Sequence, residues 1–188
     1  MSNKKTDYLK GSKKIIGAWA LYDWANSVYS LVISSAIFPI YYSQYVFSQT
    51  NSVEILNLSI NKDTLISSVS AFSFLLIAFL SPLLSGIADF VGNKKIFMKF
   101  FVYVGSLSCI GLYWFELETI EISLLFYTLG LIGFWGSLVY YNSYLTDITY
   151  PNQTNKVSAK GYTMGYIGSV ILLLINLIMI NFYETFGF

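Results

Sequence analysis

The sequence predicts an all-α membrane protein with about five transmembrane helices, and three observations predict it. Of 188 residues, 55% are apolar and 19% aromatic while 11% are charged, against roughly 25% charged in an ordinary soluble domain. The apolar runs are continuous and of membrane-crossing length rather than alternating in stretches of ten, which favours helices over a β-barrel because a helix satisfies its own backbone in lipid. Lysines gather at alternate run ends, the pattern that sets orientation in a bilayer.

Composition removes several function classes. The net charge is +1 and all eleven basic residues are lysine, with no histidine. No basic patch of the kind nucleic acid requires is present, so nucleic acid is not an expected partner. Without histidine, and with Cys109 as the one cysteine, His-based acid/base chemistry, disulfides and Cys/His zinc sets fall away, and no cofactor or metal is expected. Cys109 lies in an apolar run, where a lone thiol behaves as a small hydrophobe.

The elements follow in order. Residues 1–14 carry Lys4, Lys5, Lys10, Lys13 and Lys14 and precede an apolar run too long for a cleaved signal, so they are expected to be a cytoplasmic N-terminus before a retained first helix. The five spanning segments are expected at 15–40, 64–87, 96–115, 121–145 and 157–182, since about 20 residues at 1.5 Å rise cross a hydrocarbon layer of roughly 30 Å. With the N-terminus inside, ten of the eleven lysines face the cytoplasm, including Lys94, Lys95, Lys99, Lys156 and Lys160, and only Lys62 lies outside. Residues 183–188 then form an outer tail. Trp19 and the cluster Tyr41, Tyr42 and Tyr45 stand where amphipathic rings anchor at the interface. Pro39 and Pro82 fall near segment ends, as kinks or terminations. Pro151 stops segment four. The stretch 47–63 is the longest outer loop, with Asp63 as the cap of segment two and Asn57-Leu58-Ser59 as a short glycosylation pattern.

Polar groups inside the membrane carry the functional signal. Asp23 stands nine residues beyond Lys14, about 13 Å along a helix, at a depth where an aspartate costs about 2.5–3.5 kcal/mol to insert. Asn26, Ser27, Ser30 and Ser34 follow at offsets of three, four, seven and eleven, one polar stripe at α-helical spacing. The stripe is either the wall of a hydrophilic pathway, with Asp23 binding a cation or proton, or interhelical hydrogen-bonding. Asn142 and Asp147 fall toward the inner end of segment four, where Asp147 is either part of the same polar region or simply solvated. Gly130, Gly133 and Gly136 in segment four and Gly161, Gly165 and Gly168 in segment five have the spacing of close helix packing.

Between segments two and three the chain reads Ser85-Gly86-Ile87-Ala88-Asp89-Phe90-Val91-Gly92-Asn93-Lys94-Lys95. Gly92 supplies freedom for a tight reversal and the lysines hold the loop inside. Asp89, Gly92, Lys94 and Lys95 resemble the inner-loop motif of the major facilitator superfamily; Ser85 replaces its first glycine, and Phe90 and Asn93 stand where basic residues are usual. Ala18-Trp19-Ala20-Leu21-Tyr22-Asp23-Trp24-Ala25-Asn26-Ser27, with Ile37-Phe38-Pro39, looks like the opening helix of the subfamily containing the vacuolar amino-acid effluxer linked to autophagy and its bacterial relatives. Asn142 to Asp147 and Gly161 to Gly168 are also similar to that group.

The resemblance covers essentially the whole chain, as the first five helices of a fold that normally has twelve. It implies a partial N-terminal six-helix bundle of a secondary transporter, a permease that moves a small solute such as an amino acid by alternating access. It also implies gating roles for Asp89, Gly92, Lys94 and Lys95, and a cavity-lining role for Asp23 and Asn26. The implied partners are the lipid bilayer, the solute, protons and a missing C-terminal half, without which the fragment is expected to be inactive. The expected location is a bacterial cytoplasmic membrane. A non-transporting scaffold or assembly factor complete at five helices is the competing reading. An intramembrane enzyme is weakest, because Asp23 and Asp147 lie on different segments with no spacing to join them.

Overall fold

The structure, a computed structural model, describes residues 10–55 and 57–187. Lys4, Lys5 and the rest of 1–9, together with Phe188 at the end of the expected tail, lie outside the described residues.

The first apolar run is helical from Lys13 to Val46, with changes of winding. It comprises α1 (Lys13–Val28), a π-wound stretch (Tyr29–Ile37), α2 (Phe38–Tyr41) and a second π-wound stretch (Tyr42–Val46). Two short strands follow, β1 (Ser52–Ile55) and β2 (Leu58–Asn61), and then α3 (Lys62–Val91) and α4 (Lys94–Gly111) with a 3-10 turn at Leu112–Trp114. The chain continues through α5 (Ile120–Ile148), α6 (Thr154–Asn181) and the short α7 (Tyr183–Phe186). Four helical stretches among the described residues are long and apolar enough to cross a membrane: Lys62–Val91, Lys94–Trp114, Ile120–Ile148 and Thr154–Asn181. The protein is an all-α membrane protein whose helices are consistent with a partial major facilitator bundle. Many large apolar side chains on these helices are exposed, Phe90 at 92% and Phe79 at 71% among them, as a solvent of lipid allows.

Several local features differ from the sequence expectation. The loop expected on the outer side holds an antiparallel hairpin, with Ser52 opposite Asn61 and Ile55 opposite Leu58. Asn57 takes left-handed backbone at φ 63°, which asparagine tolerates better than most residues. Because β2 delivers an extended Asn61 directly to the helix, the cap of α3 is Asn61 and not Asp63: its side chain accepts from the Asp63 backbone N–H at 2.9 Å. Asp63 sits instead in the first turn, where its charge suits the helix dipole. Pro82 ends nothing; α3 continues nine residues beyond it to Val91, and the bond that proline cannot donate to the Ala78 carbonyl is the local cost.

The chain divides into two compact units, residues 1–39 with 143–188, and residues 40–142. In the second, α4 and α5 cross at Gly105 and Gly133, where two bare backbones touch. Gly136 likewise admits the ring of Phe101, which stacks on Tyr140 at 6.0 Å, and Ala88 completes this core. Buried serines return their hydroxyls to their own helices, Ser73 to the Val69 carbonyl at 2.8 Å and Ser108 to that of Val104 at 2.7 Å, which satisfies them where no water is available.

The end of this unit that carries the hairpin is tied by tyrosines. Tyr42 is 2% exposed: its hydroxyl donates to the Lys62 carbonyl at 2.7 Å, and its ring packs on Phe47 and Phe115. Tyr41 donates to the Phe115 carbonyl at 2.8 Å, and the Lys62 ammonium to that of Ser43 at 3.2 Å. Burial, followed by the nearby Asp63 carboxylate, holds the Tyr42 hydroxyl above the usual tyrosine range. Tyr42 is thus a core residue rather than an interface anchor. So is Trp19, buried at 9% exposure in the first unit, while Tyr45 is 68% exposed.

Candidate functional site

In the first unit α1 packs along α6. The reason lies in α6, where Val157, Gly161, Gly165 and Gly168 are buried at spacings of four, four and three, a single helical face made almost without side chains. Against it α1 sets Trp24, Ser27 and Asp23. A methyl added to Gly168 would collide with the Trp24 carbonyl oxygen, and one added to Gly165 would stand 2.6 Å from Ser27 Oγ and 2.8 Å from Asp23 Oδ2. Only glycine lets the helices meet here.

Asp23 is 5% exposed. Ser27 Oγ donates to Asp23 Oδ1 at 3.1 Å, one turn along α1, and Ser30 Oγ donates to the Ser27 carbonyl at 2.9 Å. Tyr22 donates to Asn26 Oδ1 at 3.4 Å on the neighbouring flank. The structure therefore joins the Asp23 and Ser27 side chains by a hydrogen bond, with Ser30 returned to the main chain one turn on and Asn26 beside them.

Beyond Ser30 the winding changes. Ser35 Oγ reaches back five residues to the Ser30 carbonyl at 2.8 Å, inside the π-wound stretch. A π turn holds one more residue than an α turn, so the α-helical spacing that put Ser34 on the stripe does not extend that far. Such π-wound stretches are frequent at functional sites.

Of the remaining expected residues, Asn142 belongs to the second unit and is exposed, while Asp147 is half-buried near the end of α5 in the first. In the loop between α3 and α4, Gly92 adopts φ 69° and its N–H closes the helix on the Ala88 carbonyl at 3.0 Å, the αL cap that glycine favours. Lys94 Nζ lies 3.5 Å from Asp89 Oδ1 across this turn, and the Asp89 side chain is 62% exposed; Lys95 is exposed. What sequence reasoning missed is that Gly165 stands against Asp23. Its spacing from Gly161 pointed to close packing, but not to the residue it would meet.

A bundle of long apolar helices with an acid closed into a glycine-lined seam on its first helix is the architecture of a polytopic membrane protein. Residues 11–186 match the family described as vacuole effluxer Atg22 like, and the chain belongs to that family. It is also 39% identical over 176 residues to the uncharacterized MFS-type transporter YxiO of Bacillus subtilis (strain 168). The matched region is 92% of this chain and 39% of that protein, so the chain spans about two fifths of this relative's length. No solved structure matches.

Proposed function

We propose that this chain is the front part of a secondary transporter that moves a small solute, amino acids being the leading class, across a bacterial cytoplasmic membrane by alternating access. Asp23 is the contact for the solute or for a coupling proton. The observation that carries the reading is the Asp23 carboxyl itself. An acid 5% exposed on a membrane helix, with Ser27 as its hydrogen-bond donor, is expensive to insert and marks a pathway.

Family membership supports transport, and the YxiO likeness supports a fuller transporter of which these helices are one portion. In that arrangement a C-terminal half supplies the opposite wall of the cavity, and the exposed Asp89, with Gly92, Lys94 and Lys95, engages it during gating. Asn26, Ser27 and Ser30 line the polar route in the first unit, with Asp147 towards the end of α5, and Asn142 is a candidate polar contact of the second unit. The lysines before α1, at the α3–α4 turn and at the start of α6 support a cytoplasmic N-terminus.

The test is Asp23→Asn in the full-length protein, reconstituted in vesicles and supplied with a mixture of amino acids. Uptake driven by a solute or pH gradient is expected to vanish while insertion is retained. Undiminished flux would reject the role.

A further inference from the structure

The seam that holds Asp23 is closed. The carboxyl is 5% exposed, Ser27 holds Oδ1, and Gly165 of α6 lies so near Oδ2 that a single added carbon would be 2.8 Å away. That gap admits neither a water molecule nor a solute atom between the carboxyl and the α6 backbone. Among the described residues no cation pairs with Asp23. Lys156, Lys160, Tyr162 and Tyr166 on α6 are all exposed. On α1, Tyr22 is turned to Asn26, and Lys13 and Lys14 are exposed at the helix start. A group that must meet cargo is thus shut in a dry contact between two helices.

We propose that the α1–α6 seam is a gate: the two helices part to let solute or cation reach Asp23, and Gly165 is the positioning residue that lets them shut over it. The proposal rests on the reading of Asp23 as a transport contact. It adds that access to Asp23 is controlled within these helices, by separation at Gly165, in addition to any movement against a second half. The absence of a side chain is what matters. Alanine at 165 would press on Ser27 Oγ and Asp23 Oδ2 and hold the seam ajar.

The first test uses this chain in liposomes with Cys109→Ser as background. Ser27→Cys, half-buried against Gly165, is expected to react with a small charged methanethiosulfonate about tenfold more slowly than the exposed Lys160→Cys, because its full exposure needs a local opening. Adding Gly165→Ala is expected to bring the Ser27→Cys rate up towards that control and leave Lys160→Cys unchanged. Equal rates at both positions with Gly165 in place would overturn the gate, as would a Gly165→Ala protein in which Ser27→Cys stays slow.

The second test is reversible. A Cβ on Gly165 lies 3.1 Å from Ser27 Cβ, a few tenths of an ångström inside the roughly 3.5–4.5 Å of a disulfide, so Ser27→Cys with Gly165→Cys should cross-link on oxidation. In the full-length protein the reduced double variant, altered at Ser27 and propped by its own added Cβ, sets the baseline of amino-acid uptake; oxidation should take uptake to zero and dithiothreitol should return it to that baseline. Uptake that continues through a quantitatively cross-linked seam refutes the gate, even where Asp23→Asn abolishes uptake and so upholds the underlying reading. Unchanged uptake by Asp23→Asn, with the cross-link still blocking flux, would reject that reading and leave the seam as a moving part.

Discussion

The crossing of α4 and α5 allows an asymmetric prediction from one contact. A methyl on Gly133 would collide with the Gly105 backbone nitrogen, stand 2.5 Å from Gly105 Cα and lie 2.8 Å from the Phe101 carbonyl oxygen. All three are backbone atoms and cannot rotate away. Overpacking costs about 1–3 kcal/mol, and rigid neighbours place Gly133→Ala at the upper end, about 3 kcal/mol. Replacing a mid-helix glycine by alanine returns about 1 kcal/mol of helix propensity, leaving a net loss of about 2 kcal/mol, or roughly thirtyfold in the folding equilibrium.

The reciprocal change behaves differently. A methyl on Gly105 would stand 3.5 Å from Gly133 C and Cα, an ordinary contact, so Gly105→Ala should be neutral or gain up to about 1 kcal/mol. Unfolding in mixed micelles by increasing dodecyl sulfate, followed by tryptophan fluorescence, measures both. Trp135 lies near this crossing in sequence and serves as a reporter. Equal transition midpoints for the two variants, or a Gly133→Ala protein as stable as the parent, would refute the reasoning from backbone contact.

Other outcomes follow from the same geometry. Asn61→Ala should cost about 1 kcal/mol in the same assay by removing the cap of α3, whereas Asp63→Ala should cost about half as much, through the dipole alone. Tyr42→Phe should lose about 1 kcal/mol by removing the part-buried hydrogen bond to the Lys62 carbonyl, visible as a lower midpoint and as faster proteolysis of the hairpin. Lys94→Ala should change stability by less than about 1 kcal/mol, because its partner Asp89 is exposed. A larger loss would mean that the pair holds the α3–α4 turn together.

Much of the architecture was legible in order along the chain because lipid imposes a simple rule. Every backbone group in the membrane must be satisfied within its own helix, so long apolar runs such as 64–87 and 157–182 become helices whatever surrounds them, here Lys62–Val91 and Thr154–Asn181. The glycine at 92, between Asp89 and Lys94, announced a tight reversal, which the structure makes through a left-handed helix end. Asp23 stood out because an acid in oil is costly wherever the chain then places it. The family was legible too, from the opening helix and the inner loop.

What only the tertiary structure decided is where these groups point and what they touch. Glycine spacing in 161–168 said that some helix would come close. That the helix is α1, and that the atoms met are Ser27 Oγ and Asp23 Oδ2, depends on contacts more than a hundred residues apart in sequence. The hairpin at 52–61 and the cap at Asn61 hid because four-residue strands carry little periodicity. The π winding after Val28 hid because the α-helical period is assumed before it is tested. Tyr42 and Trp19 turned inward because a ring at the membrane boundary serves equally as anchor or as core, and packing makes that choice. Local hydrogen-bond necessity is written residue by residue, whereas the pairing of helix faces is a collective property of side chains that meet only after the helices exist.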